Sequence, residues 1–245
     1  MTAVPQLQPG QRATLDALLA GLRRAFGADL FALYVYGAIT FPPTEGIADL
    51  DYHAILERPP TPVQVAGYQA ACVRLGGEHA PWGADLDGWV ILRSQAARPE
   101  PPAHVIAGIT DGSWALHRAH WLAGRCIVLQ GPPPAEVVTP PDWAEVEAGL
   151  RGELEFARRS PHDAFAVLNA CRVLHSFQAG DAVQSKSGSA AWALRHLPAE
   201  HHAAIRAALA TYRGHAAEAD ARVLTDARTP LFSLVDSELA RSDDQ

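Results

Sequence analysis

The feature that most constrains the fold is a change of sequence pattern near the middle of the chain. Before the Gly-Pro-Pro-Pro run at 131–134, apolar segments of strand length alternate with segments of helical periodicity. From 143 to 239 only helical periodicity remains. A sheet can therefore form only in the first part. We expect two domains in the 245 residues, at 1–134 and 135–245, and an α+β fold: a small mixed sheet with helices, then a helical bundle.

Local patterns predict the individual elements. Leucines at helical spacing predict a helix over 11–26 that Gly27 ends. A second helix is expected to open at the prolines of 60–62 and to stop near residue 75, before two glycines. The predicted strands are 30–36, 50–56, 86–92 and 125–129. The other predicted helices are 114–123, 143–159, 164–179, 189–197, 200–224 and 229–240.

Two acids mark the second predicted strand. Period-two alternation places Asp49 and Asp51 on one face, while Leu50 and Tyr52 point to the other. Neighbouring carboxylates repel each other unless a cation lies between them, and hard divalent cations prefer oxygen ligands. The pattern therefore indicates a site for magnesium and a nucleoside triphosphate. The alternative is a pair of solvated acids at a strand end.

A glycine and a further acid extend this site. Gly37 follows the first predicted strand, where a residue without a Cβ lets backbone N–H groups approach phosphate oxygens. Asp87, at the start of the third strand, is the candidate general base and a possible metal ligand. Asp85 lies two residues earlier on the same face and is the alternative base.

Composition restricts the partners. A net charge of -7 argues against nucleic acid, whose binding requires clustered cations, and suits a cationic small molecule. Three widely spaced cysteines without a CxxC pair argue against disulfides and structural zinc. Residues 1–10 do not have the pattern of a signal peptide, and no apolar stretch is long enough to span a membrane. We expect a cytoplasmic monomer that binds neither membrane nor nucleic acid.

Both parts resemble a known family. The segments 33–38 (LYVYGA) and 48–51 (ADLD) resemble the Gly-Ser and Asp-x-Asp signature of DNA-polymerase-β-like nucleotidyltransferases. The second part is similar to the helical C-terminal domain of streptomycin and spectinomycin adenylyltransferases. The segments that carry this similarity are 169–174 (NACRVL), Gly180, 185–187 (SKS), 190–194 (AAWAL), 196–198 (HLP) and 210–214 (ATYRG). With 125–132 included, the resemblance covers about 30–214 and is weakest over 93–110.

The resemblance implies a function for specific residues. Asp49 and Asp51 would bind Mg²⁺, and Asp87 would be the base where better-known members have glutamate. From the helical domain, Arg172, Lys186 and Tyr212 would reach ATP in the cleft between the domains. Lys186 is the single lysine among 20 basic residues, which suggests that its position needs a compact ammonium. The implied reaction transfers AMP from ATP to a hydroxyl of an aminoglycoside or aminocyclitol.

An acid that faces the acceptor is also implied near the start of the helix that carries Arg172. Asp163 and His162 compete for this position, and we prefer Asp163 because a fixed negative charge suits a cationic guest. With Asp85, it completes the expected substrate-binding acids.

The chain also departs from the family pattern. Ala38 and Ala48 replace serines, so two hydroxyl contacts to phosphate are lost, at a cost on the order of 1 kcal/mol each. Backbone amides of Gly37 and Ala38 are then the expected phosphate contacts. The family's drug-stacking aromatic has no match in 93–110, where the chain is shorter. Its candidate substitutes, each also a candidate core residue, are Trp82, Trp89 and Trp114.

Two other functions remain open: transfer to another metabolite, sugar or protein hydroxyl, and nucleotide binding without catalysis. The histidine pairs 117/120 and 201/202 are not expected to bind metal, because no Cys or Glu completes a tetrahedral set at usable spacing.

Overall fold

A computed structural model describes residues 7–41, 49–215 and 217–243, and it divides the chain into two compact units, Met1–Pro141 and Asp142–Gln245. The elements of the first unit are α1 (Pro9–Phe26), β1 (Leu30–Tyr36), β2 (Asp49–Leu56), α2 (Pro62–Glu78), β3 (Asp85–Leu92), α3 (Arg93–Ala96), α4 (Trp114–Leu122) and β4 (Ile127–Gln130). Those of the second are α5 (Trp143–Arg159), α6 (Asp163–Ala179), α7 (Lys186–His196), α8 (His202–Tyr212) and α9 (Glu218–Asp243). Over the described residues, no helix is long and apolar enough to cross a lipid bilayer.

The first unit is built on a mixed sheet with the strand order β3-β2-β1-β4. β1 is antiparallel to both β2 and β4, whereas β2 and β3 are parallel and joined through α2. Helix α2 begins where predicted: Pro62 occupies its first turn, and the Thr61 side chain accepts a hydrogen bond from the Gln64 N–H. This parallel pair matters for the site, because it brings equivalent ends of β2 and β3 side by side.

The sheet is covered on both faces. On one face, apolar residues of α1 and α2 pack against Leu33 and Val35 of β1 and against Leu50 and Tyr52 of β2. On the other face, Tyr34 and Tyr36 of β1 pack against Trp114 and Trp121 of α4. Because side chains alternate along a strand, Asp49, Asp51 and His53 of β2 point toward the face that α4 covers.

Several helix boundaries differ from the sequence prediction. Helix α2 continues through Gly76 and Gly77 to Glu78, because neither glycine adopts the positive φ that a glycine stop requires. The predicted helix 200–224 is interrupted between Tyr212 and Glu218. Gly214 has φ +74° there, and its N–H donates to the Thr211 carbonyl, so the left-handed turn ends α8.

The predicted helix 229–240 is part of the longer α9. Pro230 lies inside α9, although its missing N–H costs a backbone hydrogen bond. The residues after it bury their side chains almost completely, with Leu231 1% and Phe232 3% exposed. Burial of this apolar face therefore decides the course of the helix over the local preference of proline.

Candidate active site

Four carboxylates lie on neighbouring positions where the two parallel strands begin. In the register of β2 and β3, Asp49 is directly opposite Asp85, and Asp51 is directly opposite Asp87. Residues opposite each other project to the same face of a sheet, so all four acids share the face that α4 covers. A set of carboxylate oxygens is the donor set that hard divalent cations prefer, and it fits Mg²⁺. The structure thus brings together the sequence-predicted Asp49, Asp51, Asp85 and Asp87.

Gly37 lies against one of these acids. It follows β1 directly, has φ +73°, and begins a short 3-10 helix, Gly37–Thr40. A Cβ built on Gly37 would overlap the Asp51 carboxylate. The turn therefore needs glycine twice, for its left-handed backbone and for the close approach of Asp51. Ala38 is the next residue of this turn, whereas Ala48 lies outside the described residues.

The electrostatic surroundings distinguish Asp87. Asp87 is exposed at its surface, yet the protein around its carboxyl group desolvates it and raises its pKa. His117 acts in the opposite direction, while the carboxylates of Asp111, Asp85 and Asp49 raise this pKa further. A carboxylate with a raised pKa is a stronger base than an ordinary aspartate. The role of Asp87 as a general base stays a prediction.

Beyond the carboxylates, the same face carries a group of histidines around a buried acid. Asp111, in the segment before α4, accepts two hydrogen bonds at Oδ2: one from His53 Nε2 at 3.1 Å and one from His117 Nδ1 at 2.9 Å. His53 is fully buried, and Asp111 is 1% exposed. His53 is two residues after Asp51 on β2 and is opposite Trp89 of β3. This network, which we call the His53–Asp111–His117 cluster, is thus continuous with the row of carboxylates.

Burial and hydrogen bonding set the charges in this cluster. Complete burial lowers the pKa of His53 to about 4, although Asp111 partly opposes the shift. Burial alone would raise the pKa of Asp111, but its interactions with His117 and His53 hold that pKa well below its usual range. At neutral pH His53 is therefore neutral and Asp111 is ionised.

The buried His53 predicts an acid-sensitive fold. Between about pH 6.5 and pH 4 the unfolded chain binds a proton at His53 that the folded chain does not, so the free energy of unfolding falls as the pH falls. From pH 7 to pH 5 the loss should be about 2 kcal/mol. The free energy of unfolding is measured by urea unfolding in chelator-containing buffer at pH 7 and pH 5. In His53→Gln, whose side chain keeps a hydrogen-bond donor but does not titrate, the fall between the two pH values should be smaller than in the wild type by about 2 kcal/mol. An equal loss in both proteins would contradict the assignment.

Three predicted nucleotide contacts belong to the second unit, and the structure brings two of them together. Lys186 is the first residue of α7, which Ser185 caps by accepting a hydrogen bond from the Gly188 N–H. The Lys186 Nζ lies 5.6 Å from the ring centre of Tyr212 and 4.9 Å from that of Phe165. The ammonium is thus held between two aromatic rings by cation–π attraction.

The third predicted ATP contact, Arg172, and the predicted acceptor contact, Asp163, each form an ion pair within the unit. Arg172 Nη2 donates to Glu153 Oε2 at 2.7 Å. Asp163 accepts hydrogen bonds from Thr225 Oγ1 and Arg228 Nη1, each at 2.7 Å. These contacts hold both side chains in place within the unit. A ligand that met either residue would have to share it with its present partner.

Sequence reasoning missed the histidine cluster. It paired His117 with His120, three residues apart, whereas the structure pairs His117 with Asp111 and with His53 on a different element. One signal was present: the alternation that places Asp49 and Asp51 on one face continues to His53. Asp111 lies 58 residues further along the chain and gave no such signal.

Two comparisons with known proteins found a similarity. A sequence profile described as "Aminoglycoside adenylyltransferase, C-terminal domain" matches residues 145–230. In structure the chain is similar to the spectinomycin adenyltransferase AAD(9) from Enterococcus faecialis, solved with ATP and spectinomycin. The TM-score is 0.74 at 13% sequence identity, over 92% of this chain and 99% of that one. Residues 145–230 are thus similar to the C-terminal domain of aminoglycoside adenylyltransferases, and the chain has the fold of AAD(9). No protein with a curated description gave a significant match.

The predicted resemblance and the predicted α+β fold are confirmed. The matching family and the matching solved structure are both of adenylyltransferases, which belong to the predicted enzyme class, the nucleotidyltransferases. At 13% identity the structural likeness establishes the fold, and the roles of individual residues stay predictions.

Proposed function

We propose that this chain transfers AMP from ATP to a hydroxyl of a small cationic acceptor, with an aminoglycoside or aminocyclitol as the first candidate. The observation that carries the proposal is the register of β2 and β3, which pairs Asp49 with Asp85 and Asp51 with Asp87 beside Gly37. The matching adenylyltransferases support the reaction, and the ATP and spectinomycin bound to AAD(9) support the substrates.

Each residue of the first unit has a distinct task in the proposed reaction. Asp87 takes the proton of the acceptor hydroxyl, the oxygen attacks the α-phosphorus of ATP, and pyrophosphate leaves. Asp49 and Asp51, with Asp87, would hold Mg²⁺, which supplies positive charge for the triphosphate when bound. The backbone amides of Gly37 and Ala38 would donate to phosphate oxygens, since the turn leaves room for a close approach.

Charge supports the choice of acceptor. The net charge of -7 and the row of acids favour a cation over an anionic or nucleic-acid acceptor. Asp85 and Asp163 are the proposed acids for the ammonium groups of the acceptor. Arg172, Lys186 and Tyr212 are the proposed ATP contacts of the second unit, where a lysine acts as a point charge and an arginine can hold two oxygens. A monomer in the cytoplasm remains our prediction.

The reaction is tested by pyrophosphate release from ATP and magnesium, with spectinomycin or streptomycin as acceptor. We expect release only when an acceptor is present. Acceptor-independent ATP binding without turnover would favour a binding module, and turnover only with other hydroxyl compounds would redirect the acceptor class.

The Asp87→Asn variant tests the base. Loss of a general base should lower kcat by at least about 100-fold, whereas ATP binding, measured by a magnesium-dependent thermal shift, should persist. Asp85→Asn is the comparison variant, because it removes the same charge from the same strand. As a proposed acceptor contact, Asp85 should affect KM for the acceptor when it is replaced, whereas loss of the base should affect kcat. If Asp85→Asn lost activity and Asp87→Asn kept it, the base would be Asp85.

A further inference from the structure

We propose that His53, Asp111 and His117 form a binding site for a divalent transition-metal ion of the zinc class, separate from the carboxylates assigned to magnesium. The three side chains come from β2, from the segment before α4 and from α4. Two imidazoles and one carboxylate are a ligand set that suits zinc and its neighbours better than magnesium, which prefers oxygen alone. This inference does not depend on the transfer reaction.

The distances between the ligand atoms fit such an ion. His53 Nε2, His117 Nδ1 and a carboxylate oxygen of Asp111 all lie within 4.8 Å of one another. The two nitrogens are 3.1 and 2.9 Å from Asp111 Oδ2. Ligand atoms around a tetrahedral zinc ion lie roughly 3.3 Å apart, given zinc–ligand bonds of about 2.0 to 2.1 Å. Small movements of the side chains are therefore enough to admit an ion.

The surrounding protein holds these ligands in position. The second carboxylate oxygen of Asp111, Oδ1, accepts a hydrogen bond from the Ser113 N–H at 3.0 Å, which orients the carboxylate. The His53 ring packs between aromatic rings on several sides. Its neighbours, by distance between ring centres, are Trp121 at 5.0 Å, Tyr36 at 5.2 Å, Trp114 at 5.5 Å and Trp89 at 6.2 Å. A rigid, largely apolar surround lowers the cost of ordering the ligands and strengthens ion binding.

The site is open on one side. The side chain of His117 is 19% exposed, whereas those of His53 and Asp111 are 0% and 2% exposed. An ion would therefore enter past His117, and the fourth position of a tetrahedral set would be taken by water or by a bound molecule. His53 is two residues beyond Asp51, which is about 7 Å along the strand. The ion at the His53–Asp111–His117 cluster and a magnesium ion at the carboxylates would therefore have different ligand atoms.

Cobalt provides a direct test, because it replaces zinc in tetrahedral sites and then absorbs strongly in the visible range, whereas cobalt bound by six oxygens absorbs weakly. The full chain, freed of metal by a chelator, is titrated with Co²⁺ and then with Zn²⁺ as competitor. We expect one equivalent of cobalt with strong bands that zinc abolishes. His117→Ala and Asp111→Asn should each weaken the binding at least about 100-fold.

Two control variants locate the ion. His120→Ala removes another largely buried histidine of α4, one turn further on, and should keep the cobalt bands. Asp51→Asn alters the carboxylates assigned to magnesium and should also keep them. Circular dichroism establishes that each variant is folded.

Three results would overturn the inference. The first is a wild-type protein without strong bands at saturating cobalt, and the second is equal cobalt affinity in the wild type and in folded His117→Ala. The third is a loss of the bands in Asp51→Asn when His117→Ala keeps them. The first leaves the cluster as a hydrogen-bonded network around Asp111, and the last places the ion at the carboxylates. If both ligand variants fail to fold, the absence of strong bands in the wild type still overturns the inference, and loss of the bands in Asp51→Asn does so as well. None of these outcomes bears on AMP transfer, which is measured separately by pyrophosphate release.

Discussion

Replacing Asp51 with asparagine should lower ATP-dependent transfer by at least about 1,000-fold, or about 4 kcal/mol in the transition state. Asp51 is opposite Asp87 in the sheet and touches the turn at Gly37, so it lies where the proposed base, metal and phosphate contacts meet. An amide has nearly the same shape as a carboxylate but no charge, and it binds hard divalent cations weakly. The measurement is kcat/KM from pyrophosphate release, with the acceptor that the wild type uses.

The same substitution should leave the fold intact. Asp51 is one of four acids on adjacent positions, so removing its charge relieves repulsion and should not lower the free energy of unfolding. Asp16→Asn is the control, since Asp16 is exposed on α1 and its loss changes the net charge equally. An Asp51→Asn protein that is folded and keeps more than about a tenth of wild-type activity would refute the proposed site.

Local sequence patterns were sufficient for the parts of the site that lie along one element. The alternation in β2 places Asp49 and Asp51 on one face, and β1 ends at Tyr36, where the apolar run predicts. Lys186 and Tyr212 could be selected only through the family resemblance. Their proximity depends on how α7 and α8 pack, which no local pattern records.

Sequence could not give the parts of the site that depend on pairing between elements. The match of Asp49 with Asp85 and of Asp51 with Asp87 depends on the exact parallel register, and a slip of one residue would turn one row of acids to the opposite face. The position of Asp111 depends on the segment 93–110, where the resemblance is weakest. The start of the last helix, predicted at residue 229, was mispredicted for the related reason that burial of Leu231 and Phe232 overrides the local preference of Pro230.

Gly37→Ala should remove most of the activity at a moderate cost in stability. An alanine at φ +73° is strained by about 1 to 2 kcal/mol, and its Cβ would overlap the Asp51 carboxylate. Because the added Cβ would overlap the end of a side chain and not the backbone, we expect the Asp51 side chain to rotate away from residue 37. Displacing a metal-binding and phosphate-facing group by about 1 Å should lower kcat/KM by roughly 100-fold.

Gly27→Ala separates the two effects of that substitution. Gly27 also has a positive φ, +58°, but among the described residues nothing lies within 4 Å of an added Cβ. Because its ψ of -130° lies outside the left-handed helical region, alanine there should cost at least as much stability in urea unfolding, while kcat/KM stays within about twofold of the wild type. If both variants lost activity equally, backbone strain in the first unit would be the cause. If only Gly37→Ala lost it, the contact between the turn and Asp51 is what the reaction requires.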